Sequence, residues 1–316
     1  KFNVLATIGN LNNHIGVPLT LLRLNETHEI AIIEMGANKF GDIKELCEIA
    51  HPTHGIITNI GKAHLEGFKN FEGVLKTKKE LYDSVSMSNG IIVYNGDDQL
   101  LKNNLPTNIQ TISYGKSSNC DLQGNLDKLT PFISMSWSHL NYRSPILETK
   151  MIGEYNFYNY LAAITFGIQF GLSPDEINHG VTSYIPTNNR SQVKETATST
   201  LILDCYNANP SSMKSALESF SQIDHPKKYF IIGDMLELGE EAQKEHSNIA
   251  ELIQKLDLKG FSVGPLFKSL QSTSFIEQFE STNDAKHYFE NQTFNDTLIL
   301  LKGSRGIGLE VLEHSF

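Results

Sequence analysis

Short apolar runs alternate with amphipathic segments in the first part of the chain. The runs Ile30–Ile33, Gly55–Ile60 and Gly90–Tyr94 predict strands buried on both faces, as in a parallel sheet. Between them, the spacing of apolar residues predicts helices over Asp42–Ala50 and about Phe71–Ser84. Strands that alternate with helices indicate βαβ units. We therefore predict an α/β fold built on a parallel sheet.

The middle of the chain has a different pattern. Apolar and polar residues alternate along Phe132–Trp137, which predicts antiparallel strands solvated on one face within residues 109–150. Helical spacing follows over Asn156–Gly171 and Pro174–Ser183. The polar, proline-containing segment Ile185–Arg190 predicts a linker between domains.

A second series of strands and helices follows the linker. Strands are predicted at Leu201–Cys205, Tyr229–Gly233, Phe261–Gly264 and Thr297–Lys302, with helices at about Ser211–Gln222, Glu240–Leu256 and Asp284–Asn291 and at the C-terminus. This order predicts a complete doubly wound domain. The predicted domains are residues 1–186 and 187–316.

Composition narrows the class of protein. The chain has 316 residues, 40% apolar and 20% charged, which is typical of globular domains. Its net charge is −10 and it has no basic run, so we expect no nucleic-acid partner. Its three cysteines lie far apart, which indicates a reducing compartment without disulfides. With no membrane-spanning or signal-peptide run, we expect a cytoplasmic monomer without membrane insertion.

Polar residues follow three of the predicted strands, and ligands of open α/β sheets bind at the carboxyl ends of strands. Glu34 ends the first strand, His64 lies four residues after the second, and Asn95 and Asp98 follow the third. A carboxylate there can hold Mg²⁺, although Glu34 could instead cap the following turn and His64 could be a surface histidine. Together the three positions favour a ligand site.

Two further segments could bind substrate or be structural. The loop with Asn10, Asn12 and Asn13 offers amide donors and acceptors for a sugar or peptide, or these residues cap and turn the chain. The predicted helix at Phe71–Ser84 carries a cluster of lysines, which reads as a solvated face with charge pairs. The cluster is Lys76, Lys78 and Lys79, beside Glu80.

In the predicted second domain, strand ends again carry polar groups. The first strand carries Asp204 near its end, Asn207 and Asn209 follow it, and Ser211 or Ser212 could cap the next helix. Lys302, Ser304 and Arg305 follow the last strand, where adjacent cations suit a carboxylate or phosphate. The sequence contains no GxxxxGK[ST] motif, the loop that cradles nucleotide phosphates in many ATPases.

The loops resemble, in order from end to end, those of the Mur ligase family. The matching stretches are TIGNLNNHIGVPLT (7–20), IEMGAN (33–38), NIGKAHLEGF (59–68), NGDD (95–98), NFYNYLAA (156–163), DCYNANP (204–210), GDMLELG (233–239) and KGSR (302–305). The resemblance implies an ATP-dependent amide ligase of peptidoglycan synthesis. DCYNANP and GDMLELG are similar to the member that adds D-Ala-D-Ala to UDP-MurNAc-tripeptide through an acyl phosphate.

The resemblance also implies roles for individual residues. Glu34 would bind one Mg²⁺ between the ATP phosphates, and His64 a second, supported by a carbamylated Lys78. The expected nucleotide contacts are Asn156 and Asn159 near adenine, Arg190 at the γ-phosphate and Asp204 at the ribose. The expected substrate contacts are Asn10, Asn12, Asn13, Asn207, Asn209, Lys302, Ser304 and Arg305. His64, Lys78 and Arg190 would form the catalytic group.

The domains implied by the resemblance are a truncated central ATPase domain and a Rossmann-like C-terminal domain. The resemblance further implies an N-terminal domain and a P-loop upstream of Lys1, so we expect this chain alone to lack turnover. Two alternatives stay open. One is a binding scaffold for nucleotide or substrate without turnover, and the other is a related ligase of the folylpolyglutamate-synthase type.

Overall fold

The fold is a mixed α/β arrangement in which parallel strand pairs dominate, which confirms the predicted fold class. The structure is a computed structural model that describes residues 1–61, 68, 70–129, 132–270 and 274–316. The strands are β1 Val4–Ala6, β2 Ile30–Ile32, β3 His54–Ile56, β4 Ile91–Asn95, β5 Gln110–Gly115, β6 Leu122–Lys128, β7 Ser134–His139, β8 Tyr142–Arg143, β9 Leu147–Glu148, β10 Gln192–Glu195, β11 Ser199–Leu203, β12 Lys228–Gly233, β13 Gly260–Val263, β14 Phe275–Phe279 and β15 Thr297–Lys302.

The helices come close to the predicted segments. They are α1 Gly16–Leu21, α2 Asp42–Ala50, α3 Phe71–Met87, α4 Gln99–Asn103, α5 Glu154–Gln169, α6 Pro174–Ser183, α7 Pro210–Ser221, α8 Ala242–Lys255, α9 Pro265–Lys268 and α10 Thr282–Phe289, with 3₁₀ turns at Gly239–Glu241, Arg305–Ile307 and Leu309–Ser315. None of the helices within the described ranges has the length and apolar content that crossing a bilayer requires.

Contacts divide the chain into two compact units. The first comprises residues 1–125, 137–144 and 158–177, and the second comprises residues 126–136, 145–157 and 178–316. The domain limits 1–186 and 187–316 stay a prediction.

The first strand pair corrects one prediction from the sequence. β1 and β2 pair in parallel as a two-stranded sheet, and Ile32 is 59% exposed, so Ile30–Ile33 is not a strand buried on both faces. Ile33 and Met35 pack on a cluster formed by Val17, Ile43, Leu46 and Cys47 from α1 and α2. The run is apolar because one side of it packs on this cluster. The pattern of apolar residues does not show whether one or both faces of a strand are covered.

The second sheet has the strand order β3-β4-β5-β6-β7-β8, with β9 also paired to β7. The pairs β3–β4, β4–β5 and β5–β6 are parallel. β7 pairs antiparallel with β8 and β9, which confirms the antiparallel strands predicted around Phe132–Trp137. Within residues 109–150, β5 and β6 are nevertheless parallel to each other.

The third sheet lies within the second unit and has the order β10-β11-β15-β12-β13-β14. Its neighbours are parallel, except for the antiparallel pair β10–β11. All six residues of β15 are buried: Leu298 and Leu300 pack into one apolar cluster, and Ile299 and Leu301 into another. Covered faces on both sides confirm the doubly wound prediction. The carboxyl ends of β11, β15 and β12 are therefore adjacent.

Candidate functional site

Ser304 ties together the three loops that follow β11, β15 and β12. Its hydroxyl donates to the Ala208 carbonyl at 3.3 Å and accepts from the Leu236 amide at 2.9 Å. Its own amide donates to the Asp234 carbonyl at 3.2 Å. Ser304 is 2% exposed, so its hydroxyl is committed to holding the loops that carry Asn207 and Arg305.

Asp204 and Lys302, predicted at two different subsites, form one ion pair. Lys302 Nζ lies 2.6 Å from Asp204 Oδ2, and the lysine is 2% exposed while the carboxylate side chain is 14% exposed. The other carboxylate oxygen accepts from the Ser191 amide at 3.0 Å. The pair fixes the ends of β11 and β15 against the chain segment around Arg190.

That segment is held at both sides of Arg190. The Asn189 carbonyl accepts from the Tyr206 amide at 3.3 Å, and the Ser191 hydroxyl accepts from Asn156 Nδ2 at 3.1 Å and also bonds the Tyr155 hydroxyl. Asn189 and Ser191 both have positive φ, +55° and +51°. Non-glycine residues rarely adopt this conformation, and it occurs here on both sides of the exposed Arg190.

Arg190 and Arg305 share one aromatic neighbour. Arg190 Cζ lies 4.1 Å from the centroid of the Tyr206 ring, and Arg305 Cζ lies 5.6 Å from it. Both arginines are exposed, and neither guanidinium makes a hydrogen bond or ion pair to a residue that the structure describes. Two uncompensated cations beside one ring form a surface that attracts an anion.

The GDMLELG loop after β12 is anchored by a buried pair that sequence reasoning missed. Asp234, 1% exposed, accepts from the amides of Leu266 and Phe267 at 2.9 Å each. His246 Nε2 accepts from the Met235 amide at 3.0 Å, while Nδ1 bonds the Ala242 carbonyl at 2.7 Å. His246 is therefore neutral with its proton on Nδ1, and burial lowers its pKa.

Asn209 uses its side chain to cap a helix, whereas Asn207 is exposed to solvent. Asn209 is the N-cap of α7, where its side chain accepts from the Ser212 amide at 2.9 Å in a capping box. The predicted Ser211 or Ser212 cap is thus wrong by position, because Ser212 completes the box from inside the helix. Asn207 is exposed, and its Oδ1 accepts from the Ala208 amide at 2.9 Å.

In the first unit, Glu34 does not cap the turn that follows it. Its Oε1 accepts from Asn12 Nδ2 at 2.7 Å, and its amide donates to the Thr7 hydroxyl at 2.9 Å. The following turn is capped by Asp42, which accepts from the Asn38 and Lys39 amides. Glu34 is exposed, and its Oε2 has no partner among the described residues. This geometry leaves a carboxylate oriented by Asn12 and open on one side.

The rest of the amide-rich loop is partly structural. Asn13 Oδ1 accepts from the Ile15 and Gly16 amides and so begins α1, while Asn10 is exposed and its carbonyl accepts from the Asn12 amide at 2.8 Å. The Asn12 carbonyl also accepts a hydrogen bond from the Gly36 amide at 2.7 Å. A Cβ at Gly36 would lie 2.9 Å from the Asn12 side chain, so a larger residue there would displace the amide that orients Glu34.

Lys78 is not on the solvated face that the sequence suggested. Its Nζ donates to the Asn59 carbonyl at 2.8 Å, and burial lowers the pKa of its ammonium group. Lys76 and Lys79 do form i,i+4 pairs, with Glu72 and Asp83 respectively. The amine of Lys78 is therefore shifted toward its neutral form.

Other predicted strand-end residues lie elsewhere or act structurally. Asp98 caps α4 by accepting from the Leu100 and Leu101 amides, so this position is a helix cap. Asn156 is 2% exposed and donates to the Ile152 carbonyl at 2.8 Å, whereas Asn159, one turn further along α5, is exposed. His64 lies outside the described residues.

The structure thus gathers the predicted residues into two groups. Glu34, Asn10, Asn12, Asn13, Lys78 and Asn159 belong to the first unit, and Asn156, Arg190, Asp204, Asn207, Asn209, Lys302, Ser304 and Arg305 belong to the second. No sequence signal marked Tyr206 or His246, because a ring contact and a tautomer depend on distant neighbours.

Comparison with known proteins gives independent evidence of the family to which this chain belongs. Residues 1–167 match the family model described as Mur ligase middle domain, and residues 189–305 match the Mur ligase, glutamate ligase domain. The UDP-N-acetylmuramoyl-tripeptide–D-alanyl-D-alanine ligase of Bacillus subtilis (strain 168) is 32% identical over 327 residues, covering 98% of this chain and 69% of that protein.

Solved structures of known ligases are similar to this chain as well. The MurF ligase from Thermotoga maritima in complex with ADP has a TM-score of 0.88 and 25% identity, covering 100% of this chain and 73% of that one. Folylpolyglutamate synthase from Thermotoga maritima has a TM-score of 0.60 and 13% identity, covering 94% and 68%, which shows a shared fold alone. With both family models matched in order and a relative of over 30% identity, this chain belongs to the Mur ligase family.

Proposed function

We propose that the chain forms an amide bond between UDP-MurNAc-tripeptide and D-Ala-D-Ala at the expense of ATP, in peptidoglycan synthesis. The observation that carries the proposal is the similarity to UDP-N-acetylmuramoyl-tripeptide–D-alanyl-D-alanine ligases along 98% of the chain. The expected chemistry has two steps. The tripeptide carboxylate takes the γ-phosphoryl group to give an acyl phosphate and ADP. The dipeptide amine then attacks the acyl carbon, and phosphate leaves.

Glu34 is the proposed ligand of the first Mg²⁺. Its orientation by Asn12 and its open Oε2 fit a hard cation, which prefers oxygen ligands. The lowered pKa of Lys78 fits carbamylation, since only the neutral amine reacts with CO₂. In the proposal, His64 and carbamylated Lys78 hold the second Mg²⁺. The two ions would neutralise charge on the phosphoryl oxygens.

The nucleotide contacts in the proposal are Asn156 and Asn159 for adenine, Asp204 for the ribose and Arg190 for the γ-phosphate. The exposed Arg190 suits direct contact with phosphate. Asp204 already bonds Lys302 and the Ser191 amide, so it would meet a ribose hydroxyl through its exposed edge. Asn156 is buried, and its contact with Ser191 indicates that it also orients the Arg190 segment.

The substrate contacts in the proposal divide by exposure. Arg305, Asn207, Asn10 and Asn13 are exposed and suit direct contact with the peptide or sugar. Lys302 and Ser304 are each 2% exposed, so they would act by positioning the loops that carry Asp204 and Arg305. Asn12 and Asn209 are partly buried, and their observed bonds hold Glu34 and the start of α7.

The test is release of inorganic phosphate from ATP in the natural protein, with any residues that precede Lys1. We expect release to require both UDP-MurNAc-tripeptide and D-Ala-D-Ala. Glu34→Gln should lower turnover by orders of magnitude, because it removes charge opposite the phosphoryl group. Glu26→Gln, a change of the same chemistry in a turn before β2, is the matched control. Release that does not depend on the dipeptide would contradict the proposal.

The same assay separates the two alternatives. Replacing D-Ala-D-Ala with L-glutamate tests a folylpolyglutamate-synthase-type ligase, whose structure is much less similar to this chain. Binding of ADP without any substrate-dependent release would favour the binding scaffold.

A further inference from the structure

We propose that Tyr206 is a positioning residue shared by two subsites: its ring holds Arg190 for the γ-phosphate of ATP and Arg305 for the carboxylate of D-Ala-D-Ala. The inference rests on the proposed function for the identity of the two anions. It adds a residue with no assigned role and a reason why two separate loops act together. We call Arg190, Tyr206 and Arg305 the arginine–tyrosine stack.

The first support is geometric. The Cζ atoms of Arg190 and Arg305 lie 4.1 and 5.6 Å from one ring centroid, both within the distance at which a guanidinium is attracted to an aromatic ring. A planar guanidinium suits this contact, whereas a lysine ammonium is a compact, strongly hydrated charge. A single ring thus restricts two long side chains that would otherwise sample many rotamers.

The second support is charge. Neither arginine has a carboxylate or hydrogen-bond partner in the described part of the chain, although Asp204 lies close by in sequence to Tyr206. Asp204 is already paired with Lys302, so its charge is neutralised by a buried cation. The stack consequently keeps two cationic charges exposed to solvent, and an incoming oxyanion would bind them without first breaking an ion pair.

The third support is a set of hydrogen bonds that join the segments carrying Arg190, Tyr206 and Arg305. The Tyr206 amide donates to the Asn189 carbonyl, and the Ser191 amide donates to Asp204, so the residues beside Arg190 are bonded to the residues beside Tyr206. Ser304, next to Arg305, bonds Ala208, two residues after Tyr206. The Tyr206 hydroxyl is buried and has no partner among the described residues, so the ring, and not the hydroxyl, carries the role.

The experiment compares Tyr206→Leu with Tyr206→Phe in the natural protein. Removing the ring should raise the KM for ATP and the KM for D-Ala-D-Ala each by about 5- to 20-fold, while Phe keeps both within about twofold. Arg305→Lys keeps the charge and should raise the KM for the dipeptide alone. Both single changes remove the same contact between the ring and Arg305. The double variant Tyr206→Leu/Arg305→Lys should therefore have the same KM for the dipeptide as Tyr206→Leu.

Two controls keep the test specific. Tyr229→Leu removes a ring that contacts Phe261 and Phe294 and no arginine, and Arg143→Gln removes an exposed arginine from β8; both should leave the KM values unchanged. If Tyr206→Leu does not fold, Arg190→Lys and Arg305→Lys test the stack, since each loses the planar group and should raise only its own substrate's KM.

Calorimetric titration with sodium tripolyphosphate gives a readout that needs no turnover. We expect the native protein and Tyr206→Phe to bind it alike and Tyr206→Leu to bind at least 5-fold more weakly. If Tyr206→Leu and the native protein have the same KM values and bind tripolyphosphate equally well, the proposed role of Tyr206 is wrong. That result would not contradict the ligase function. Tyr206-dependent tripolyphosphate binding without dipeptide-dependent phosphate release overturns the ligase function and leaves the stack.

Discussion

At the scale of single residues, partners decide what a charged side chain does. Lys78 and Lys76 lie two positions apart on α3, yet Lys76 pairs with Glu72 at the surface and Lys78 donates to the Asn59 carbonyl. The spacing of lysines indicated one solvated face for both. It could not report that a carbonyl from a distant loop lies beside Lys78 and that burial there lowers its pKa.

Lys78 should form a carbamate at a lower pH than a lysine with the ordinary pKa would. Because the folded-state pKa of Lys78 lies below its ordinary value of 10.5, its neutral amine is available at lower pH. Over the same interval the folded state binds fewer protons than the unfolded state, so this group makes the free energy of unfolding rise with pH. ¹³C NMR with labelled bicarbonate measures the carbamate. Lys78→Ala should abolish the signal and Lys76→Ala should retain it; the reverse result would exclude Lys78.

Asp204 and Lys302 should show strong coupling in stability. Lys302→Met should lower the free energy of unfolding by about 3 kcal/mol, since it leaves a largely buried carboxylate without its cation. Asp204→Asn should cost at least as much, because Lys302 is the more deeply buried partner. The double variant should recover most of the loss. Urea unfolding of the four proteins measures the coupling, and additive losses would contradict the buried pair.

At the scale of elements, the sequence located helices better than it located what ends them. α2 spans Asp42–Ala50 as predicted, but its N-cap is Gly41, with φ +94° and no capping side chain of its own. Glu80 of α3 supplies the cap by accepting from the Gly41 amide at 2.8 Å and the Lys44 amide at 2.9 Å. Edge strands β10 and β14 were missed, since their half-exposed residues give a weak pattern.

Glu80→Ala should therefore destabilise α2 although it lies on α3. We expect a loss of about 1–2 kcal/mol in the free energy of unfolding, because two amides at the helix N-terminus lose their acceptor. Thermal or urea unfolding measures it. Glu72→Ala, an exposed glutamate of the same helix, should change stability by less than about 0.5 kcal/mol. Equal effects of the two changes would show that the interhelix cap contributes nothing.

At the scale of the whole molecule, the family assignment makes nucleotide binding the property to measure. In the proposed function, Arg190 contacts the γ-phosphate of ATP. A ligand that binds only the folded state stabilises it by mass action. Stabilisation by nucleotide is therefore expected even under conditions that do not permit turnover.

ADP with Mg²⁺ at 100 times its dissociation constant should raise the free energy of unfolding by about 2.7 kcal/mol. Removing Mg²⁺ with EDTA should reduce the effect, because the phosphates would lose their bridging cation. Thermal unfolding with and without each component measures both changes. With a non-hydrolysable ATP analogue in place of ADP, Arg190→Gln should diminish the stabilisation, because the contact proposed for Arg190 is to the γ-phosphate, whereas Arg143→Gln should leave it unchanged. A shift that is insensitive to EDTA would argue against the Mg²⁺ part of the proposal.

The sequence by itself determined the fold class, the order of the inner strands β11, β12, β13 and β15 with the helices between them, and the family. These follow from local information: apolar periodicity marks strands such as β15 and helices such as α2, and the loops carry recognisable stretches such as DCYNANP and KGSR. Such features lie within a few residues of one another. They can be read without knowing which distant segments meet.

The tertiary structure alone decided which polar residues are free and which are committed. It paired Asp204 with Lys302 and bonded the Ser304 hydroxyl to the loops after β11 and β12. Among the described residues, it left Arg190 and Arg305 without an ion-pair partner beside Tyr206. It also exposed Ile32, which the apolar run had placed in a buried strand. These outcomes depend on contacts between residues up to a hundred positions apart, because burial and partner geometry, not residue type, set the energy of a polar group.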